Sequence, residues 1–171
     1  MTKYSKAIAF VARAGVTAGL YAVLTIVLAP ISYGPVQCRI SEIMTLFPLL
    51  FPEAVPGLII GCLIANIYSG WWADMVFGTL ATAIAALATY LVGRKIKTKI
   101  APFIGGIFPV VVNAIVLPIM WLMFSTETAY WFNFATVLAG QFVAVYILGV
   151  PVYFALKKAR IDQIGIKSIK K

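Results

Sequence analysis

Apolar residues in this chain run in long, almost uncharged stretches, and the polar positions collect in the short breaks between them. Positions 7–29, 74–93, 101–124 and 132–156 each supply the roughly 20 residues that an α-helix needs to cross a ~30 Å hydrocarbon core. The first of these is also longer than the apolar core of a cleaved signal peptide. Positions 40–68 are ambiguous, because Pro48, Pro52, Glu53 and Pro56 interrupt the run. It reads either as one kinked crossing or as two short helices joined near 51–56.

Charge decides between them. Thirteen of the fourteen Lys and Arg residues fall in three clusters, Lys3/Lys6/Arg13, Arg94/Lys95/Lys97/Lys99 and Lys157/Lys158/Arg160/Lys167/Lys170/Lys171; only Arg39 stands apart. In membrane proteins Lys and Arg in short loops mark the cytoplasmic side. One crossing through 40–68 puts the 94–99 cluster on the opposite side from Lys3 and Lys6; two crossings put all three clusters inside. The chain is therefore expected to be an all-α membrane protein, a six-transmembrane-helix bundle with spans near 7–29, 40–51, 56–68, 74–93, 101–124 and 132–156. Both termini are expected in the cytoplasm, with a basic tail at 157–171, and positions 1–171 form a single integral membrane domain in the cell membrane. The second and third spans are short, about 12–15 residues or roughly 18–23 Å. If their outer ends stop below the membrane surface, they leave a hollow on the outer face.

Composition agrees and narrows the function. The chain is 63% hydrophobic and 11% charged, with a mean hydropathy of +1.00. Its net charge of +9 reads as topology rather than as a nucleic-acid footprint, because the charge sits at the ends of apolar runs. Cys38 and Cys62 give no disulfide framework, and the absence of His removes the commonest metal ligand and general base. No phosphate-binding loop occurs; Gly165-Ile166-Lys167-Ser168 lacks the glycine before the lysine. No acidic or His/Cys grouping suits a metal, and no Ser or Cys has a His base. The chain reads as a binding protein that relies on an energised partner, not as an enzyme.

Two patterns carry candidate function. In the first span Ala14, Ala18 and Ala22 recur at i, i+4, i+8, with Gly15 and Gly19 beside them. Such a face lets another helix approach closely, either a partner's or one from the same bundle. Arg13, one turn inside the span, is expected to snorkel to the headgroups. The second pattern is polar chemistry gathered in the outer half. Gln37, Arg39 and Glu42 lead into the second span, where Ser41 is a candidate N-cap, a first-turn carboxylate suits the helix dipole, and Arg39 is placed to pair with Glu42. Asn66 and Tyr68 close the third span; Trp71, Trp72 and Asp74 follow. Glu127, Tyr130, Trp131 and Asn133 occupy the last outer loop. The aromatic residues suit either an interfacial belt or a stacking surface for a flat ligand. Asn113 and Gln141 lie well inside the fifth and sixth spans, where an amide needs a partner helix or a ligand.

The stretch Ala29-Pro-Ile-Ser-Tyr-Gly-Pro-Val-Gln-Cys-Arg-Ile-Ser-Glu42, followed by Phe47-Pro48, Phe51-Pro-Glu-Ala-Val-Pro-Gly57 and Gly61-Cys-Leu-Ile-Ala-Asn66, resembles the queuosine-precursor transporter family. The likeness is close over about residues 8–93 and looser beyond. Members are S components, the substrate-binding membrane subunits of energy-coupling factor (ECF) transporters. The resemblance implies a six-helix bundle that takes up a 7-deazaguanine, either the aminomethyl or the cyano precursor of queuosine. It also implies a coupling transmembrane subunit and two ABC ATPase subunits, which use ATP and Mg; no cofactor is bound by this chain. It places partner docking on Ala14, Ala18 and Ala22 and a lid over the pocket at 30–41. Glu42 is then the first candidate for a guanine-like edge, Asp74 or Glu127 for an aminomethyl cation, and Asn113 or Gln141 for the ring. The main rival is a self-sufficient homodimeric transporter of another small vitamin-like or purine-like solute, with the Ala/Gly stripe as its seam.

Overall fold

A computed structural model describes residues 3–33, 38–126 and 128–160, and among these residues it contains helices and no strands. Four stretches are long and apolar enough to cross a membrane: Ala7–Val27, Asp74–Lys95, Ala101–Phe124 and Tyr130–Lys158. Two shorter apolar helices, Ile40–Leu49 and Ala54–Ser69, stand where the sequence predicts its two short spans. The α-helices are α1 (Lys3–Val27), α2 (Ala29–Ser32), α3 (Ala54–Ser69), α4 (Thr79–Lys95), α5 (Ala101–Gly105), α6 (Ile107–Phe124), α7 (Tyr130–Phe142) and α8 (Val150–Lys158). Gly70, in the left-handed region at φ 75°, ends α3.

Ile40–Leu49 is a 3-10 helix, ten residues long, with Pro48 inside it. Pro48 has no N–H to give, and the Thr45 hydroxyl donates to the Glu42 carbonyl at 2.6 Å, which draws on a backbone acceptor. Both features favour the tighter winding. At about 2.0 Å per residue the element is roughly 20 Å long, well short of a ~30 Å core. With three residues per turn, Arg39, Glu42 and Thr45 align in one column, and all three are buried. Ser41, Met44, Leu46 and Pro48 are buried too, so this short helix is the axis of the bundle. It touches α1, α3, α4, α5, α8 and the segment Val143–Gly149.

The most extensive helix pairing is α1 on α3, and its cause is two matched small-residue stripes. A Cβ placed on Gly57 would lie 2.7 Å from the Ala14 carbonyl oxygen, and one on Gly61 would lie 2.6 Å from that of Ala18. The backbones are therefore in direct contact, the arrangement that small-xxx-small faces permit where no hydrophobic force drives helices together. Ala14, Ala18 and Ala22 are buried in this seam. The face expected to dock a partner is one that Gly57 and Gly61 of α3, at the same spacing, already lie against. Gly15 and Gly19 point the other way, with nothing within 4 Å of an added Cβ. Arg13 is held at 3.6 Å by Glu53 and lies over the Phe51 ring, which ties α1 to the turn before α3.

Exposed Val, Ile, Leu and Phe side chains cover the outer surface of the long helices, as expected of a bundle facing lipid. Inside, three apolar clusters divide the molecule. One gathers Tyr21, Met44, Leu58, Cys62 and Ala86; a second Leu46, Val110, Val145, Val150 and Tyr153; a third Ala73, Ala114, Leu117, Met120 and Val137. The polar residues of the interior lie at the boundaries between these clusters.

Two glycine-to-alanine changes test the α1–α3 seam. Gly61→Ala drives a methyl into the α1 backbone and is expected to destabilise the protein by about 1–3 kcal/mol. Gly15→Ala adds the same atoms in open space and is expected to be neutral or stabilising by up to ~1 kcal/mol. Thermal melts in detergent compare the two; equal effects would remove the close-contact account.

Candidate functional site

At the head of the 3-10 helix the chain buries three charged side chains. Arg39 Nη2 donates to Asp74 Oδ2 at 2.8 Å, with 3% and 5% of the two side chains exposed. The sequence places Arg39 three residues before Glu42 and suggests that pair; the structure gives Arg39 to Asp74 instead. Glu42 has its own partner, the Tyr21 hydroxyl, which donates to Oε1 at 2.6 Å. Nor does Ser41 cap the helix: its hydroxyl sits 2.6 Å from that of Thr25 on α1. The ring of Tyr33 covers the Arg39 guanidinium at 5.2 Å, and its hydroxyl donates to the Ala65 carbonyl at 2.7 Å.

Asp74 owes its position to an irregular backbone. Asp74–Gly78 is a π turn that leads into α4. A Cβ on Gly78 would come within 2.5 Å of Asp74 Oδ1, so the carboxylate folds back over a bare Cα. Asn66 Nδ2 donates to the Asp74 carbonyl oxygen at 2.9 Å, which fixes the orientation of that amide. Thr82 donates to Cys62 Sγ at 3.2 Å and to the Gly78 carbonyl at 3.1 Å, locking α3 to α4 just below. A second π segment, Val143–Gly149, follows directly on the helix that bears Gln141. Turns of this kind recur at functional sites because they re-aim side chains.

Asn113 and Gln141 complete the polar stratum. Each lies between the same two apolar clusters, Asn113 on α6 between Val110 and Ala114, Gln141 on α7 between Val137 and Val145. Cys38 Sγ lies 3.5 Å from the Gly140 carbonyl, which brings the start of the 3-10 helix beside Gln141.

These buried side chains hold polar atoms that the protein itself does not satisfy. Among the described residues they include Arg39 Nε, Glu42 Oε2, Asn66 Oδ1, Asp74 Oδ1, Asn113 Nδ2 and Gln141 Oε1. An unpaired polar group buried at membrane depth costs several kcal/mol, and ionisable groups there mark ligand or ion paths. The set presents more acceptors than donors. An excess of acceptors suits a donor-rich solute. No grouping among the described residues is fit to hold a metal.

The sequence candidates therefore divide. Arg39, Glu42, Asn66, Asp74, Asn113 and Gln141 are all buried within the bundle. Tyr68 and Trp72 are exposed, the latter edge-on to Phe124 at 5.1 Å, so they sit as interfacial aromatics and not as a stacking surface inside the site. Trp71 packs on the cluster around Ala73, and Tyr130 packs on Trp131 and Phe134. Gln37 and Glu127 lie outside the described residues. Sequence reasoning passed over Tyr21, Thr25, Cys62 and Thr82. The signal for the first two was present: they continue the inward stripe of Ala14 and Ala18 at helical spacing.

Residues 11–158 match the model of a family described as QueT transporter. The chain belongs to the QueT transporter family. It is 30% identical over 143 residues to the queuosine precursor transporter QueT of Lactococcus lactis subsp. cremoris (strain MG1363), an alignment covering 77% of this chain and 83% of that one. No solved structure matches. Membership in a family of transporters implies a non-enzymatic role.

Charge balance inside this QueT family member can be measured. Breaking a buried ion pair by removing one partner is destabilising by about 3–5 kcal/mol, whereas replacing both with apolar residues is often neutral. Arg39→Met and Asp74→Leu are each expected to lower the melting temperature in detergent strongly, and the double variant to recover most of the loss. A double variant no better than the singles would mean that the two residues act separately.

Proposed function

We propose that this chain is the substrate-binding S component of an ECF-type importer that takes up a queuosine precursor, a 7-deazaguanine. The observation that carries the reading is the set of buried, unsatisfied polar atoms, Glu42 Oε2 among them, inside a QueT family bundle. A guanine-like edge offers adjacent N–H donors; Glu42 Oε2 is free to accept one while Oε1 keeps its bond from Tyr21. Asp74 Oδ1 and Asn66 Oδ1 offer further acceptors, for an amine or aminomethyl group, and the amides of Asn113 and Gln141 face the ring carbonyl and nitrogens. Asp74 takes the cationic role because its Oδ1 is buried and has no hydrogen-bond partner.

In this reading a coupling membrane subunit and two ABC ATPase subunits supply the energy. The coupling subunit meets a face other than the Ala14, Ala18 and Ala22 stripe, which α3 occupies. The long helices cross the membrane, the 3-10 helix and α3 form two short re-entering crossings, and both termini lie in the cytoplasm. The basic clusters support this orientation.

Glu42→Gln retains the shape of the side chain and removes its charge. A charge-assisted hydrogen bond contributes roughly 1.5–3 kcal/mol, so binding of both the aminomethyl and the cyano 7-deazaguanine is expected to weaken by about one to two orders of magnitude. Titration calorimetry on the purified protein reads this directly; an unchanged dissociation constant sinks the assignment of Glu42. Orientation has its own check. A cysteine at Ser125 is expected to react with an impermeant thiol reagent in intact cells and one at Thr98 to be protected, and labelling of both from outside would exclude six crossings.

A further inference from the structure

The end of the bundle away from the polar stratum carries a second feature. The loop after α4 and the last turn of α8 flank an open hollow of about 420 Å³ lined by Lys97, Thr98, Lys99, Phe154, Lys157 and Lys158. No carboxylate among the described residues lines it. Lys97 and Lys157 are held in place, the first donating to the Gly93 carbonyl at 2.6 Å, the second lying against the Tyr153 hydroxyl and ring. Lys99 and Lys158 make no hydrogen bond or ion pair among the described residues, and both are exposed.

The floor of the hollow is apolar and continues outward. Phe154 contacts the Phe103 ring at a centroid distance of 6.5 Å. From there Ile100, Phe103 and Ile107, all exposed, follow one another down the same side of the bundle. Four ammonium groups thus stand where the long helices end, with an apolar track leading from them along the lipid-facing surface. A free phosphate has use only for the charges, and an acidic protein surface has no use for a track that descends beside the helices. An anionic phospholipid matches both.

We propose that this hollow is a binding site for an anionic phospholipid, whose phosphate lies among Lys97, Lys99, Lys157 and Lys158 while an acyl chain follows Ile100, Phe103 and Ile107. Basic pockets between membrane helices recognise headgroups in this way, and each lysine near an anionic headgroup contributes measurably to retention. The proposal does not depend on which solute the polar stratum holds.

Native mass spectrometry of the detergent-purified full chain, with phosphatidylglycerol and phosphatidylcholine of the same acyl chains added in competition, tests it. Phosphatidylglycerol is expected to be retained preferentially, and Lys99→Gln with Lys158→Gln to weaken that preference roughly tenfold. Lys95→Gln, exposed at the same end but outside the hollow, is expected to leave it unchanged. Equal retention of the two lipids overturns the proposal, as does an unaffected double variant. An equal loss from Lys95→Gln would mean diffuse surface charge, and displacement of the lipid by millimolar inorganic phosphate would mean a simple anion site; either result also overturns it. Should the double variant melt lower without lipid, Lys99→Arg with Lys158→Arg must restore retention, and failure to do so counts against the site.

Discussion

Among the described residues Arg39 is the only buried Lys or Arg, and burying it dictates much of the fold around it. A guanidinium taken out of water needs a carboxylate with good geometry, and Asp74 provides one at 2.8 Å. Three unusual features make that contact. The 3-10 helix begins at the residue after Arg39 and stacks Arg39, Glu42 and Thr45 on one buried column. The π turn at Asp74–Gly78 swings the carboxylate inward, and the bare Cα of Gly78 leaves room for it. Asn66 then clamps the Asp74 backbone from α3.

Much of the architecture is legible in the sequence because it follows from bulk properties. Uninterrupted apolar runs set the four long helices, and prolines with one glutamate mark the short turn near 51–56. Helix type is not legible in the same way. Residues 40–49 read as a short α-helix, and only the loss of the Pro48 donor, the Thr45 side-chain bond and the close packing on every side turn it to 3-10 winding. Partnering is harder still. A stripe such as Ala14, Ala18 and Ala22 looks the same whether it meets its own chain or another. What decided the matter was a second pair of small residues at the same spacing, Gly57 and Gly61, whose absent side chains admit the α1 backbone.

The site shows the same division. Residue type singled out Glu42, Asp74, Asn113 and Gln141, since ionisable groups and amides are seldom left in an apolar helix without a use, and all four are buried. It was a poor guide for Tyr68 and Trp72, because an aromatic ring serves the membrane interface as readily as a ligand, and only the direction of the side chain separates the two. Tyr21 was overlooked for the opposite reason. Its ring belongs to an apolar cluster while its hydroxyl holds Glu42, so one residue packs the core and orients the site.

Two carboxylates against one guanidinium leave the stratum with an excess of acceptors, and the protein satisfies only part of them. Asp74 gives one oxygen to Arg39 and Glu42 gives one to Tyr21; the second oxygen of each stays unpaired. That pattern fits a binding protein better than a structural one. The bond that each carboxylate makes within the protein fixes its position. The second oxygen of each keeps its demand for a donor. Preorganisation and unmet demand thus reside in the same two side chains, and the fold's irregular turns exist to hold them in that state.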